Sequence, residues 1–105
     1  MKVVKQVVGI DVAQKELVIT LGRMFDDLSI DLYAYKVFKN TEKGFVGLLD
    51  WVKKLTSDQV KVSYVMEATG VYHQKLAYYL DQNDYDVCIV LPNKISNYSR
   101  TLEIK

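Results

Sequence analysis

The chain reads as an α/β fold, a mixed five-stranded sheet with helices packed on it in the order β-β-β-α-β-α-β. Two observations carry this. Short β-branched runs alternate with two segments of helical apolar spacing, and the first three runs lie too close together for any helix to separate them. The two helical segments then act as crossovers, which make the later strands run parallel to the first.

The first strand is Val3 to Val12, apolar on both faces as a covered central strand is, with Asp11 near its far end. A polar break at Ala13-Gln14-Lys15 leads into Leu17-Val18-Ile19-Thr20-Leu21, and the short gap predicts a hairpin. After Gly22 and the acidic loop at Asp26 and Asp27, the stretch Ser29 to Tyr35 alternates. Ile30, Leu32 and Ala34 fall on one face, and Asp31, Tyr33 and Tyr35 on the other, exposed one.

The period then changes. Thr41 is an N-cap with Glu42 in the first turn, and Phe45, Leu48, Leu49, Val52 and Leu55 recur at helical spacing ahead of Lys53 and Lys54 at the C-terminal end. Val60 to Met66 forms the fourth strand and ends at Glu67. Ala68-Thr69-Gly70 turns the chain into a second helix capped by Thr69, with Tyr72, Leu76, Tyr79 and Leu80 on one face. Asn83 and Asp84 end it, and Asp86 to Leu91 is a fifth strand stopped by Pro92. In the tail, Ile95, Tyr98 and Leu102 have the spacing of a short helix.

With 105 residues and 50% apolar content the chain forms one domain with a single core. A net charge of +1 supplies no global field for non-specific nucleic-acid binding. The single cysteine, Cys88, sits in an apolar run and reads as a buried small hydrophobe in a reducing compartment. No charged-then-apolar leader and no run of about 18 apolar residues is present, so a cytoplasmic protein with no membrane partner is expected.

The topology places the end of the first strand beside the end of the fourth, so Asp11 and Glu67 become neighbours. Paired carboxylates repel, and a hard divalent cation relieves that repulsion, since Mg²⁺ takes carboxylate and water oxygens. The pair reads as an incomplete metal site, because two-metal phosphodiester cleavage needs three or four carboxylates. From spacing alone the bland alternative stays open, with Asp11 terminating the hairpin and Glu67 a solvated strand end. Other candidates also have two readings. Thr69 and Gly70 sit at an expected helix start that offers N–H groups to a phosphate, or they form a plain turn. His73, close to Glu67 in sequence, reads as a ligand or base or, more simply, as an exposed first-turn residue. Lys94, Arg100 and Lys105 are either nucleic-acid contacts or a solvated face. Tyr33, Tyr35 and Tyr78 suit base stacking, a dimer contact or core-edge packing, and Asp26, Asp27 and Asp31 a solvated turn or an extra ligand.

Four stretches together carry a family resemblance. Val8-Gly9-Ile10-Asp11-Val12-Ala13, Asn40-Thr41 followed by Gly44-Phe45, Met66-Glu67-Ala68-Thr69-Gly70-Val71-Tyr72, and the tail around Pro92 and Lys94 resemble the DEDD-type transposases of the insertion-sequence "one-ten" family. The resemblance covers the whole chain, and its most specific element is the turn beginning at Glu67. It implies a ribonuclease-H-like, RuvC-type nuclease domain in which Asp11 and Glu67 are the first two catalytic acids and hold Mg²⁺ or Mn²⁺, weakly or not at all in the isolated piece. It implies DNA as substrate for cleavage and strand exchange, an element-encoded guide RNA, and a homo-oligomer. It also implies two further aspartates and a C-terminal serine domain that lie beyond Lys105, so residues 1–105 are expected to be a single N-terminal domain, inactive alone. Two rival readings remain, an actin-like ATP-binding kinase fragment and a non-catalytic nucleic-acid-binding or dimerisation module. The kinase reading shares the Gly-Ile-Asp opening but lacks the Gly-Ser/Thr pair after the aspartate, where Val12-Ala13-Gln14 stands instead.

Overall fold

A computed structural model describes residues 2–68 and 70–91. Strands β1 (Val3–Val12), β2 (Glu16–Phe25) and β3 (Ile30–Lys39) are followed by helix α1 (Glu42–Leu55), strand β4 (Val62–Glu67), helix α2 (Gln74–Gln82) and strand β5 (Asp86–Val90). They form one sheet in the spatial order β3-β2-β1-β4-β5. The β1–β2 and β2–β3 pairs are antiparallel, and β4 and β5 run parallel to β1. The mixed five-stranded α/β sheet expected from the sequence is therefore present, with β1 at its centre.

Alternation along β1 decides where the core lies. Val8 and Ile10 are buried on the same face as Leu17, Ile19 and Leu21 of β2 and Tyr64 and Met66 of β4. Both helices cover that face: Phe45, Leu48 and Val52 from α1 and Leu76 and Leu80 from α2 complete the cluster, and the Phe45 and Tyr79 rings meet at 5.3 Å. Each of these large apolar side chains contributes about 1.5–3 kcal/mol by leaving water. No described helix covers the opposite face. A Cβ built on Gly9 there would meet only the Thr20 carbonyl at 3.7 Å, and Ile30, Leu32, Tyr35 and Val37 stand exposed on it.

The start of α1 is tightly specified. Thr41 is extended, and its hydroxyl accepts from the Gly44 N–H at 3.1 Å. Gly44 is required on steric grounds, since a Cβ there would overlap the Lys39 carbonyl. The buried side of α1 is narrower than expected, because Leu55 at the helix end is 42% exposed.

Four expectations are corrected. Ile30 and Leu32 do not face the core; they are 72% and 70% exposed, while Asp31 and Tyr33 are half-buried. The cause is a register shift: Leu21 pairs with Ala34 and Gly22 with Leu32, leaving Tyr33 as an extra residue that reverses the facing of the strand before it. Tyr33 then turns its ring under the Arg23 guanidinium at 4.4 Å and donates to the Leu55 carbonyl. Cys88 is exposed rather than buried, because β5 is an edge strand and its register with Val65 sets Cys88 on the uncovered face. The second helix begins at Gln74, so Gly70 lies in a turn ahead of it and not at its N-terminus. Gly70 has φ +69°, which favours glycine, and the following turn closes with Gln74 N–H donating to Val71. His73 takes the N-cap position half-buried instead of projecting into solvent. The tail helix expected around Ile95, Tyr98 and Leu102 lies outside the described residues.

Candidate functional site

The site is built from the carboxyl ends of two adjacent parallel strands. Ile10 pairs with Met66 in the last registered step of β1 and β4, and both side chains are buried. Asp11 and Glu67 follow these residues directly, so alternation turns both carboxylates to the face that the helices leave bare. Both residues are exposed. Adjacent strands lie about 4.8 Å apart, so neighbouring side chains on one face are within reach of a single ion.

Flanking strands hold both positions. Asp11 is registered on Val18 of β2 and Glu67 on Val90 of β5. The hairpin after Asp11 closes with Ala13 N–H donating to Glu16 at 2.8 Å, and Ala68 N–H donates to Val90 at 2.9 Å just past Glu67. Two carboxylates can share a hard cation, and the exposure of both leaves room for water or phosphate oxygens as the remaining ligands. Among the described residues no group of three or more His, Cys, Asp or Glu side chains comes together, so the pair is the whole acidic donor set seen there.

The other candidates separate from this pair. Asp31 is taken up by Arg23, with Nε at 3.1 Å and Nη2 at 3.0 Å. Asp27 accepts from the Ser29 N–H and hydroxyl at 2.9 and 2.6 Å, which hold its carboxyl below the usual range. Asp26 N–H donates to Lys2, just before β1 begins. Asp26 and Asp27 therefore form a solvated turn at the opposite end of β1 from Asp11, while Asp31 stands half-buried on β3. Gly70 is exposed three residues past Glu67, while Thr69, Lys94, Arg100 and Lys105 lie outside the described residues. Tyr35 and Tyr78 are 70% and 65% exposed.

Two polar residues that the sequence did not mark as functional prove central. Gln6 is 4% exposed and bridges strands to loop: its Nε2 donates to Ser57 and Val60 carbonyls at 2.9 and 2.7 Å, and its Oε1 accepts from Ser57 N–H at 2.8 Å. Its only signal was a polar side chain at an inward position of an apolar strand. Asn40 reaches both loops of the site, donating to Ala13 at 2.9 Å and to Tyr72 at 3.0 Å. Its signal was an asparagine placed just before the cap of α1.

Comparison with known proteins gives a consistent picture. Pilin gene-inverting proteins of Moraxella lacunata and Moraxella bovis are each 29% identical over 101 residues, covering 96% of this chain and 30% of theirs. The chain thus spans under a third of the length of these relatives. Two solved structures of Ppx/GppA proteins from Aquifex aeolicus superimpose with TM-scores of 0.51 and 0.50 at 14% and 9% identity. They match over 86% and 87% of this chain and 36% and 37% of theirs, a likeness of fold alone. The DEDD transposase model of the IS110 type matches residues 8–105. Since that match takes in both Asp11 and Glu67 and nearly all of the chain, the chain belongs to the DEDD transposase family of the IS110 type.

Proposed function

We propose that the chain is the N-terminal domain of a DNA transposase or recombinase, of the ribonuclease-H-like, RuvC type, and that Asp11 and Glu67 are two of its catalytic acids. The observation that carries this reading is their placement on adjacent parallel strands, one step past the buried Ile10 and Met66 pair. Family membership and the name of the relatives, which describes inversion of a pilin gene, support DNA rearrangement as the activity of the whole protein.

The donor chemistry fits Mg²⁺ or Mn²⁺, with Asp11 and Glu67 as the oxygen ligands this chain supplies. The ion would supply charge stabilisation at the scissile phosphodiester. The described residues bring only two carboxylates together, fewer than that chemistry needs, so the full activity calls for the further acids and the serine domain that the family resemblance implies. DNA is the partner under this reading, with phosphate contacts from Lys94, Arg100 and Lys105, an element-encoded RNA as guide, a homo-oligomer as the working form and the cytoplasm as its place. Thr69 and Gly70 precede the helix start at Gln74 and lose the ground for such a contact. Among the described residues no helix is long and apolar enough to cross a membrane.

The kinase-like reading is not favoured. The backbone N–H of Ala13, which would have to face a nucleotide phosphate after the Gly-Ile-Asp opening, is spent on the Glu16 carbonyl. The proposal is tested in the full-length protein by Asp11→Asn and Glu67→Gln, assayed for recombination with circular dichroism as the folding control. Recombination falling to background with the fold kept is the expected result, and near wild-type recombination by either variant removes the assignment.

A further inference from the structure

Asn40 stands between β3 and α1, and all of its donors point at the candidate site's loops. Its backbone N–H donates to the Lys15 carbonyl at 2.9 Å. A primary amide has two N–H donors, and here one goes to the Ala13 carbonyl at 2.9 Å and the other to the Tyr72 carbonyl at 3.0 Å. Ala13 follows Asp11 by two positions, and Tyr72 follows Glu67 by five. One side chain from a third element therefore fastens the loop after one carboxylate to the loop after the other.

The surrounding sequence holds Asn40 to that task. Capping of α1 is left to Thr41, whose hydroxyl takes the Gly44 N–H, so the asparagine side chain is released from the role it commonly fills at a helix start. Gly44 lets the first turn of α1 close directly over the Lys39 carbonyl, fixing where the Asn40 backbone sits. The Asn40 Oδ1 is buried and accepts no hydrogen bond among the described residues. A flipped amide would aim that oxygen at two carbonyls, so the two donations alone fix the orientation.

We infer that Asn40 is a positioning residue that sets the spacing of Asp11 and Glu67 by clasping the β1–β2 and β4–α2 loops. The inference rests on the proposed role of the two carboxylates. Hydrogen exchange measured by NMR on the 105-residue chain tests the clasp without any metal, with the amides of Ala13 and Gln74 as reporters of the two loops. Asn40→Ala is expected to speed exchange at both reporters together by roughly tenfold, with core amides such as Ile19 and Leu48 unchanged. Asn40→Asp is expected to do so more strongly, because it sets a carboxylate against two carbonyls. Thr41→Ala, which removes the cap and keeps the clasp, is expected to loosen only the first turn of α1. Wild-type rates at both reporters in Asn40→Ala, or opening of one loop alone, overturn the inference. So does loss of core protection in both Asn40→Ala and Asn40→Ser, which would make the residue a general support of the fold.

A second readout separates this inference from the reading it rests on. Mn²⁺-induced broadening of the Asp11 and Glu67 amides should weaken at both together in Asn40→Ala and vanish in Asp11→Asn. Broadening that survives Asp11→Asn removes the metal pair while leaving the exchange result on the clasp to stand, and unchanged broadening in Asn40→Ala removes the positioning role alone.

Discussion

Asp11 and Glu67 occupy the same step on neighbouring parallel strands, each directly following the last registered pair, Ile10 and Met66. The burial of Ile10 and Met66 under the helices is what forces both carboxylates to the bare face. A change that reverses that facing would separate the pair even with both residues intact.

Gln6 is the anchor of the amino end of this arrangement. Its buried amide satisfies three backbone groups of the loop before β4, two on exposed Ser57 and one on half-buried Val60. Gln6→Ala leaves those groups unpaired and is expected to lower stability by about 2–3 kcal/mol, read as a drop in the urea midpoint at unchanged slope. A loss under about 0.5 kcal/mol would show that solvent reaches the loop.

The start of α1 offers a graded pair of substitutions. Thr41→Ala removes one cap hydrogen bond and is expected to cost about 1 kcal/mol. Gly44→Ala must displace backbone, because its methyl group overlaps the Lys39 carbonyl, so its cost is expected to exceed that of Thr41→Ala despite the better helix propensity of alanine. Thermal melts of the two variants decide the order.

Alkaline pH tests the core beneath β4. Burial, with a smaller contribution from nearby Tyr85, pushes the Tyr64 phenol well above its ordinary value of 10.0. A group whose folded value is raised gives stability that is full below its unfolded value and is lost as pH rises beyond it. Stability should therefore fall as pH climbs past about 10, and Tyr64→Phe should flatten that fall. Equal alkaline slopes in both proteins would show that Tyr64 ionises without opening the core.

How much could be read in advance follows from which residues announce themselves locally. The apolar run ending in Asp11, the helical spacing of Phe45, Leu48 and Val52, and the short gap between the first two strands each carry their structure within a few residues, and together they place Asp11 beside Glu67. The facing of β3 was not legible, because the extra residue at Tyr33 depends on pairing with β2 and not on the alternation of β3 itself. The exposure of Cys88 likewise depends on which face the helices leave bare. The role of Asn40 was not legible, because its partners, Ala13 and Tyr72, lie 27 and 32 positions away.

The central claim is that Asp11 and Glu67 act as one cation-binding pair, and Mn²⁺ titration of the ¹⁵N-labelled chain addresses it most directly, since paramagnetic broadening registers even weak binding. The account predicts that amides of residues 10–12 and 66–68 broaden together, and that either Asp11→Asn or Glu67→Gln abolishes the effect at both strands. Broadening centred on the Asp26–Asp31 turn, or broadening at one strand that survives loss of the other strand's carboxylate, would contradict it.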